Sequence, residues 1–166
     1  VQSGTASPEI YYLQISDPVA SAKENAIAEL KAYKDPADYR EAQKTELANA
    51  ITAGETAINA AATVEEVTAA LTAAKAEIDK IKTDAQLSAE ELAAAKEAAV
   101  AELKAYKNPA DYRDAQKTEL ANAISAGETA INAATTVEEV TAALTAAKAE
   151  IDKIKTAAQL DQEKPT

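Results

Sequence analysis

The sequence contains no cysteine, histidine, methionine, tryptophan or phenylalanine, and only three glycines among 166 residues. Without cysteine there is no disulfide framework and no thiolate metal site. Without histidine the commonest catalytic base and zinc ligand are missing. No apolar run approaches the ~18 residues needed to cross a bilayer, so membrane insertion is not expected. Basic residues are also few. Seventeen Lys and Arg stand against 28 Asp and Glu, for a net charge of −11. A field of that sign repels phosphate backbones and anionic membrane surfaces, and nucleic acid is not an expected partner. The only aromatics are six tyrosines.

What is present is repetition. From Ala32 the chain reads AYKDPADYREAQKTELANAI, and from Ala105 it reads AYKNPADYRDAQKTELANAI. A shift of 73 residues aligns Ala22–Leu87 with Ala95–Leu160, and only seven of those 66 positions differ. The differences are Asn25/Ala98, Ile27/Val100, Asp35/Asn108, Glu41/Asp114, Thr52/Ser125, Ala62/Thr135 and Asp84/Ala157. Most preserve shape or local role. The copied unit reads as a whole domain, and internal repeats of this kind dictate architecture before any motif does.

Within each copy the apolar spacing is helical. Val64, Val67, Leu71, Ala74, Ile78 and Ile81 step by three and four along one helix face. Leu47, Ile51, Gly54, Ile58 and Ala61 step likewise, and Ala26, Ile27, Leu30 and Tyr33 mark a shorter first helix. No part of the repeat alternates with period two.

The boundaries have physical causes. Pro36 disfavours helical geometry in the residue before it and suits a first helical position, so Asp35 (Asn108 in the second copy) is expected to cap helix two. Thr63-Val64-Glu65-Glu66 and Thr136-Val137-Glu138-Glu139 read as capping boxes opening helix three. Ser88-Ala89-Glu90-Glu91 reads as another, with Leu87 and Leu92 as a hydrophobic staple, and Ser16-Asp17-Pro18 opens the first helix of copy one.

Helices of about 17, 26 and 22 residues joined by short turns must run antiparallel. The expected fold is all-α: two tandem antiparallel three-helix bundles stacked end to end, a rod on the order of 70–80 Å at about 1.5 Å per residue. Residues 1–16 form a short extended leader or the end of an upstream domain, 17–87 the first bundle, 88–160 the second and 161–166 a polar, frayed tail. The thin, alanine-rich core implies close helix packing. Gly54 and Gly127 lie in its seam, where close helix approach is the simple explanation and a kink or hinge the other.

One cluster could bind a ligand. Tyr33, Asp38, Tyr39 and Arg40 gather at the first corner, as do Tyr106, Asp111, Tyr112 and Arg113 at its copy. Aromatic faces beside carboxylates and a guanidinium could stack on a sugar ring and hydrogen-bond its hydroxyls. The structural alternative has the tyrosines close the end of the bundle while Asp38 favours the positive end of helix two. The Asp35/Asn108 difference keeps a cap and discards a charge, which a metal ligand or catalytic acid does not usually tolerate. Acidic pairs such as Glu65/Glu66, Glu77/Asp79 and Glu90/Glu91 lack the loop glycine and ligand spacing of a calcium site and read as solvated helix faces. No nucleophile–base pair or phosphate loop is present. The expectation is no catalytic residue, no metal and no cofactor.

The pattern AxxELKAYKNPADY…LANAIxxGETAINAATTVEEVTAALTAAKAEIDKIK resembles the FIVAR-type repeats of Gram-positive cell-surface proteins. The likeness covers Ala22–Leu87 and Ala95–Leu160 and rests on the TVEEV opening, the AALxAAKAxID third helix and the tandem layout. It implies small three-helix modules, commonly in tandem within secreted glycosidases, adhesins and wall-anchored proteins, with no catalytic residue to carry over. The LPxTG sorting motif that often ends such proteins is not in this sequence.

Together these readings predict a monomeric, non-enzymatic spacer or stalk from an exported, extracellular bacterial surface protein, whose partners are the flanking domains of a larger chain. A second reading is an adhesive module that binds a host glycan or protein through its Tyr-rich corners, where two near-identical sites would add avidity, and a third is a cytoplasmic scaffold.

Overall fold

Helices account for the regular structure, as the spacing predicts; among the described residues there is no strand. This computed structural model describes Gly4 and residues 17–164, so the expected extended leader lies outside the described residues. The order is α1 Pro18–Lys31, a 3₁₀ turn Pro36–Asp38, α2 Glu41–Ala60, α3 Val64–Ile78, α4 Asp84–Ala105, a second 3₁₀ turn Pro109–Asp111, α5 Asp114–Ala133, α6 Val137–Asp152 and a short α7 Ala157–Gln162. The chain divides into two units after Asp84, a few residues before the boundary the motifs suggest.

Capping accounts for most helix starts. Asp17 opens α1 by accepting from the Val19 N–H at 3.0 Å, with Pro18 as the first helical residue. Thr63 opens α3 by accepting from Glu66 N–H at 3.1 Å. The Glu66 carboxylate reaches one residue further back than a capping box requires and takes the Ala62 N–H at 2.6 Å. Thr136, Glu139 and Thr135 repeat the arrangement at α6.

Several helix boundaries differ from the expected ones. Asp35 and Asn108 do act as caps, but of the 3₁₀ turns; each accepts a bond from an N–H two residues on, at 2.9 and 3.0 Å. The backbone is then extended at Tyr39 and Arg40 before α2 begins at Glu41, so Asp38 does not serve the positive end of helix two. The break has a packing cause: it delivers the Tyr39 ring to the core, where only 4% of the residue stays exposed.

Helix three ends at Ile78 after 15 residues, short of the expected length of about 22, although Ile81 still packs on the core from the following turn. Ser88 is not an N-cap, and Leu87 and Leu92 are not a staple across a helix start, because all three lie inside α4. The stronger start signal lies earlier. Thr83-Asp84-Ala85-Gln86 has the spacing of Thr156-Ala157-Ala158-Gln159, and the latter forms a complete capping box at α7. The tail expected from residue 161 therefore begins inside α7.

In the first unit α1, α2 and α3 pack in a bundle-like way around one core. Glu29 meets Lys75 and Tyr33 meets Asp79, so α1 and α3 run parallel; Lys23 near the start of α1 meets Asn59 near the end of α2, so α2 runs back between them. Leu30, Leu47, Ile58 and Ile78 are sealed from solvent, and Leu103, Leu120, Ile131 and Ile151 are their counterparts in the second unit. Each such side chain contributes roughly 1.5–3 kcal/mol of burial. Gly54 is in the core because a Cβ there would sit 2.6 Å from Leu30 Cδ2 and 2.7 Å from Ala74 Cβ. Gly127 meets Ala147 and Leu103 at 2.6 Å in the same way. Close helix approach therefore explains both glycines.

Candidate functional site

The corner between α1 and α2 holds the residues singled out from the sequence, and the fold separates them. Tyr39 and Tyr112 are core residues, each 4% exposed, and present no ring face to a ligand. Asp38 and Asp111 stand exposed on the 3₁₀ turns, with their backbone N–H groups bonded to the carbonyls of Asp35 and Asn108. Arg40 pairs with Asp84 at 2.5 Å, and Arg113 pairs with Asp161. The second pairing answers one of the seven differences. Asp84 has become Ala157 in the copy, and a carboxylate one turn later takes its place.

Tyr33 and Tyr106 are half-buried, and each joins a polar cluster. The Tyr33 hydroxyl donates to Asp79 Oδ2 at 2.9 Å, and Lys34 Nζ lies 2.9 Å from Asp79 Oδ1. The ammonium groups of Lys34 and Lys75 each lie 4.8 Å from the centre of the Tyr33 ring, close enough for cation–π attraction. Lys75 also pairs with Glu29. Around Tyr106, Asp152, Lys107, Lys148 and Glu102 rebuild the same cluster, with the hydroxyl–carboxylate and Lys107–carboxylate contacts both at 2.8 Å.

These contacts shift the titrations they should. Hydrogen bonds from Lys34 and then Tyr33 hold the Asp79 carboxyl below its ordinary range. The same bonds raise Tyr33 and Lys34 above theirs. Asp152, Tyr106 and Lys107 move in the same directions for the same causes. Glu139 is lowered chiefly by the backbone N–H of Thr135 and then by its hydroxyl.

Sequence reasoning found the tyrosines and missed their partners. From the sequence Asp79 reads as a solvated acid and Lys34 as part of the stretch that ends helix one, while nothing marks Glu29 or Lys75. A signal was available. Glu29 on α1 and Tyr33 just past its end are four apart, Lys75 on α3 and Asp79 at its C-cap are four apart, and each partner lies 46 residues from its mate. Two parallel helices in register bring such pairs together.

Elsewhere the surface offers little chemistry. A shallow groove along α2 and α3 is lined by Ala50, Ala53, Ala57, Ala70 and Ala73, with a counterpart along α5 and α6. Among the described residues no three acidic side chains converge as a metal site would require, and no helix is long and apolar enough to cross a membrane. No protein-family model, curated protein or solved structure matches the chain.

Proposed function

We propose that this chain is a non-enzymatic spacer: two three-helix bundles in tandem, end to end, that set the distance between neighbouring domains of an exported bacterial surface protein. One observation carries the reading. The same unit is built twice, and in both copies the tyrosines and the arginine of the candidate corner are engaged inside the unit, leaving Asp38 and Asp111 exposed. Tyr39 and Tyr112 are buried, Tyr33 and Tyr106 are bonded to carboxylates, and Arg40 and Arg113 are in ion pairs. Among the described residues the exposed large hydrophobic side chains are Val64 in the first unit and Val137 in the second, one in each and too few to make an apolar patch within a unit. The resemblance to FIVAR-type repeats supports the extracellular setting and the neighbouring domains as partners.

A glycan array and a panel of host surface proteins probed with the purified chain test this reading. The spacer predicts no retained ligand. Retention that is lost on changing Asp38 and Asp111 to Ala, the exposed groups of the two corners, would overturn it in favour of an adhesive module.

A further inference from the structure

We infer that each unit is a tension-bearing module, and that the Tyr33–Asp79 cluster is the clamp that resists stretching. The inference rests on the spacer reading for its purpose, but the force response belongs to the folded unit itself.

The geometry follows from the order of the helices. Since α1 and α3 run parallel, the start of α1 at Asp17 lies at one end of the first unit, and the chain passes out of α3 beyond Asp79 at the other. Tension on the two ends drives α1 and α3 in opposite directions along their axes. It loads every contact between them at once, in shear, where an antiparallel pair pulled at its open end would peel contact by contact.

Apolar packing resists such sliding poorly, because the hydrophobic effect is non-directional and one small side chain can replace another along the seam. Hydrogen bonds are directional, and they weaken steeply once donor and acceptor move out of line. The directional contacts between α1 and α3 lie in one place, at the end where tension reaches α3. Tyr33 and Lys34 both hold Asp79, and Lys75 holds Glu29 while flanking the Tyr33 ring. Tyr106, Lys107, Asp152, Lys148 and Glu102 put the same contacts between α4 and α6. Exposed pairs of this kind add little to equilibrium stability. Their effect is on sliding.

The test uses the full chain, whose lack of cysteine allows handles to be placed at will. Exposed Ala20 and Lys80, changed to Cys, load the first unit in shear; exposed Ala20 and Ala62, at the same end of that unit, load it by peeling. Optical-tweezers pulling should show a higher unfolding force in shear than in peel. In Asp79→Asn the unfolding rate at constant shear force should rise about tenfold, as expected when one charge-assisted hydrogen bond is lost at the barrier, while the peel rate stays unchanged. Tyr33→Phe keeps the ring and loses one bond, so it should shift the shear rate the same way by less, and it serves should the Asn variant melt early. Equal forces in the two geometries, or a shear rate unchanged in both variants, would overturn the clamp and leave the spacer standing. A ligand found on the arrays would overturn the spacer and leave the force asymmetry in place.

Discussion

At the scale of single residues, the two corner tyrosines have different tasks, which substitution separates. Truncating a fully buried aromatic ring costs about 3–5 kcal/mol, a large share of what a small domain has. Tyr39→Ala is therefore expected to lower the melting temperature of the first unit sharply, and Tyr112→Ala that of the second, with circular dichroism as the readout. Gly54→Ala sets two effects against each other. Alanine gains up to ~1 kcal/mol of helix propensity, but its Cβ meets two heavy atoms closer than 3 Å, and overpacking costs about 1–3 kcal/mol. Leu30 can turn its methyl aside, whereas the Cβ of Ala74 is fixed to the backbone of α3. We expect a lower melting temperature.

The cluster around Asp79 also predicts a pH dependence. A lowered carboxyl pKa means the unfolded chain binds the proton more readily, so this contribution is complete above the ordinary value of 3.8 and is lost as pH falls through the lowered one. For Tyr33 and Lys34, raised from 10.0 and 10.5, the contribution is complete below those values and is lost as pH rises through the raised ones. Urea titrations of the doubly substituted Asp79→Asn, Asp152→Asn chain should show a flatter acid limb than the parent. An identical acid limb would show that these two carboxyls do not contribute to it.

At the scale of elements, the sequence was legible wherever a local chemical rule decides the outcome. Asp17-Pro18 and the two Thr-Val-Glu-Glu boxes start helices where capping predicts, and the Asp35/Asn108 difference preserves a cap. Thr63→Ala should accordingly cost about 1 kcal/mol, read as a lower urea midpoint for the first unit. Misreadings arose where two local signals competed or where a distant contact decided. Ser88-Ala89-Glu90-Glu91 satisfies a capping pattern, but α4 has already begun at Asp84, where Thr83-Asp84-Ala85-Gln86 offers an earlier one, and it runs through the serine. Pro36 suggested the start of a long helix two. Burial of Tyr39 instead calls for an extended residue there, and the long helix divides into a 3₁₀ turn and α2. The polar clusters were the least legible feature, since their partners lie 46 residues apart and only the parallel register of α1 and α3 unites them.

At the scale of the molecule, the repeat was the most informative feature of the sequence, because it gave the unit before any residue had a role. Each unit seals four aliphatic side chains in its core, and both include a buried tyrosine and a glycine where neighbouring helices leave no room for a Cβ. The spacer proposal makes one demand on the whole chain: the two units must follow one another along a line. A single globule of this length has a radius of gyration of about 15 Å. Small-angle X-ray scattering of the dilute chain measures that quantity directly. The account predicts a value clearly above 15 Å, with a distance distribution skewed to long vectors. A value at 15 Å with a symmetric distribution would mean that the units fold back on one another, and the spacer reading would be wrong.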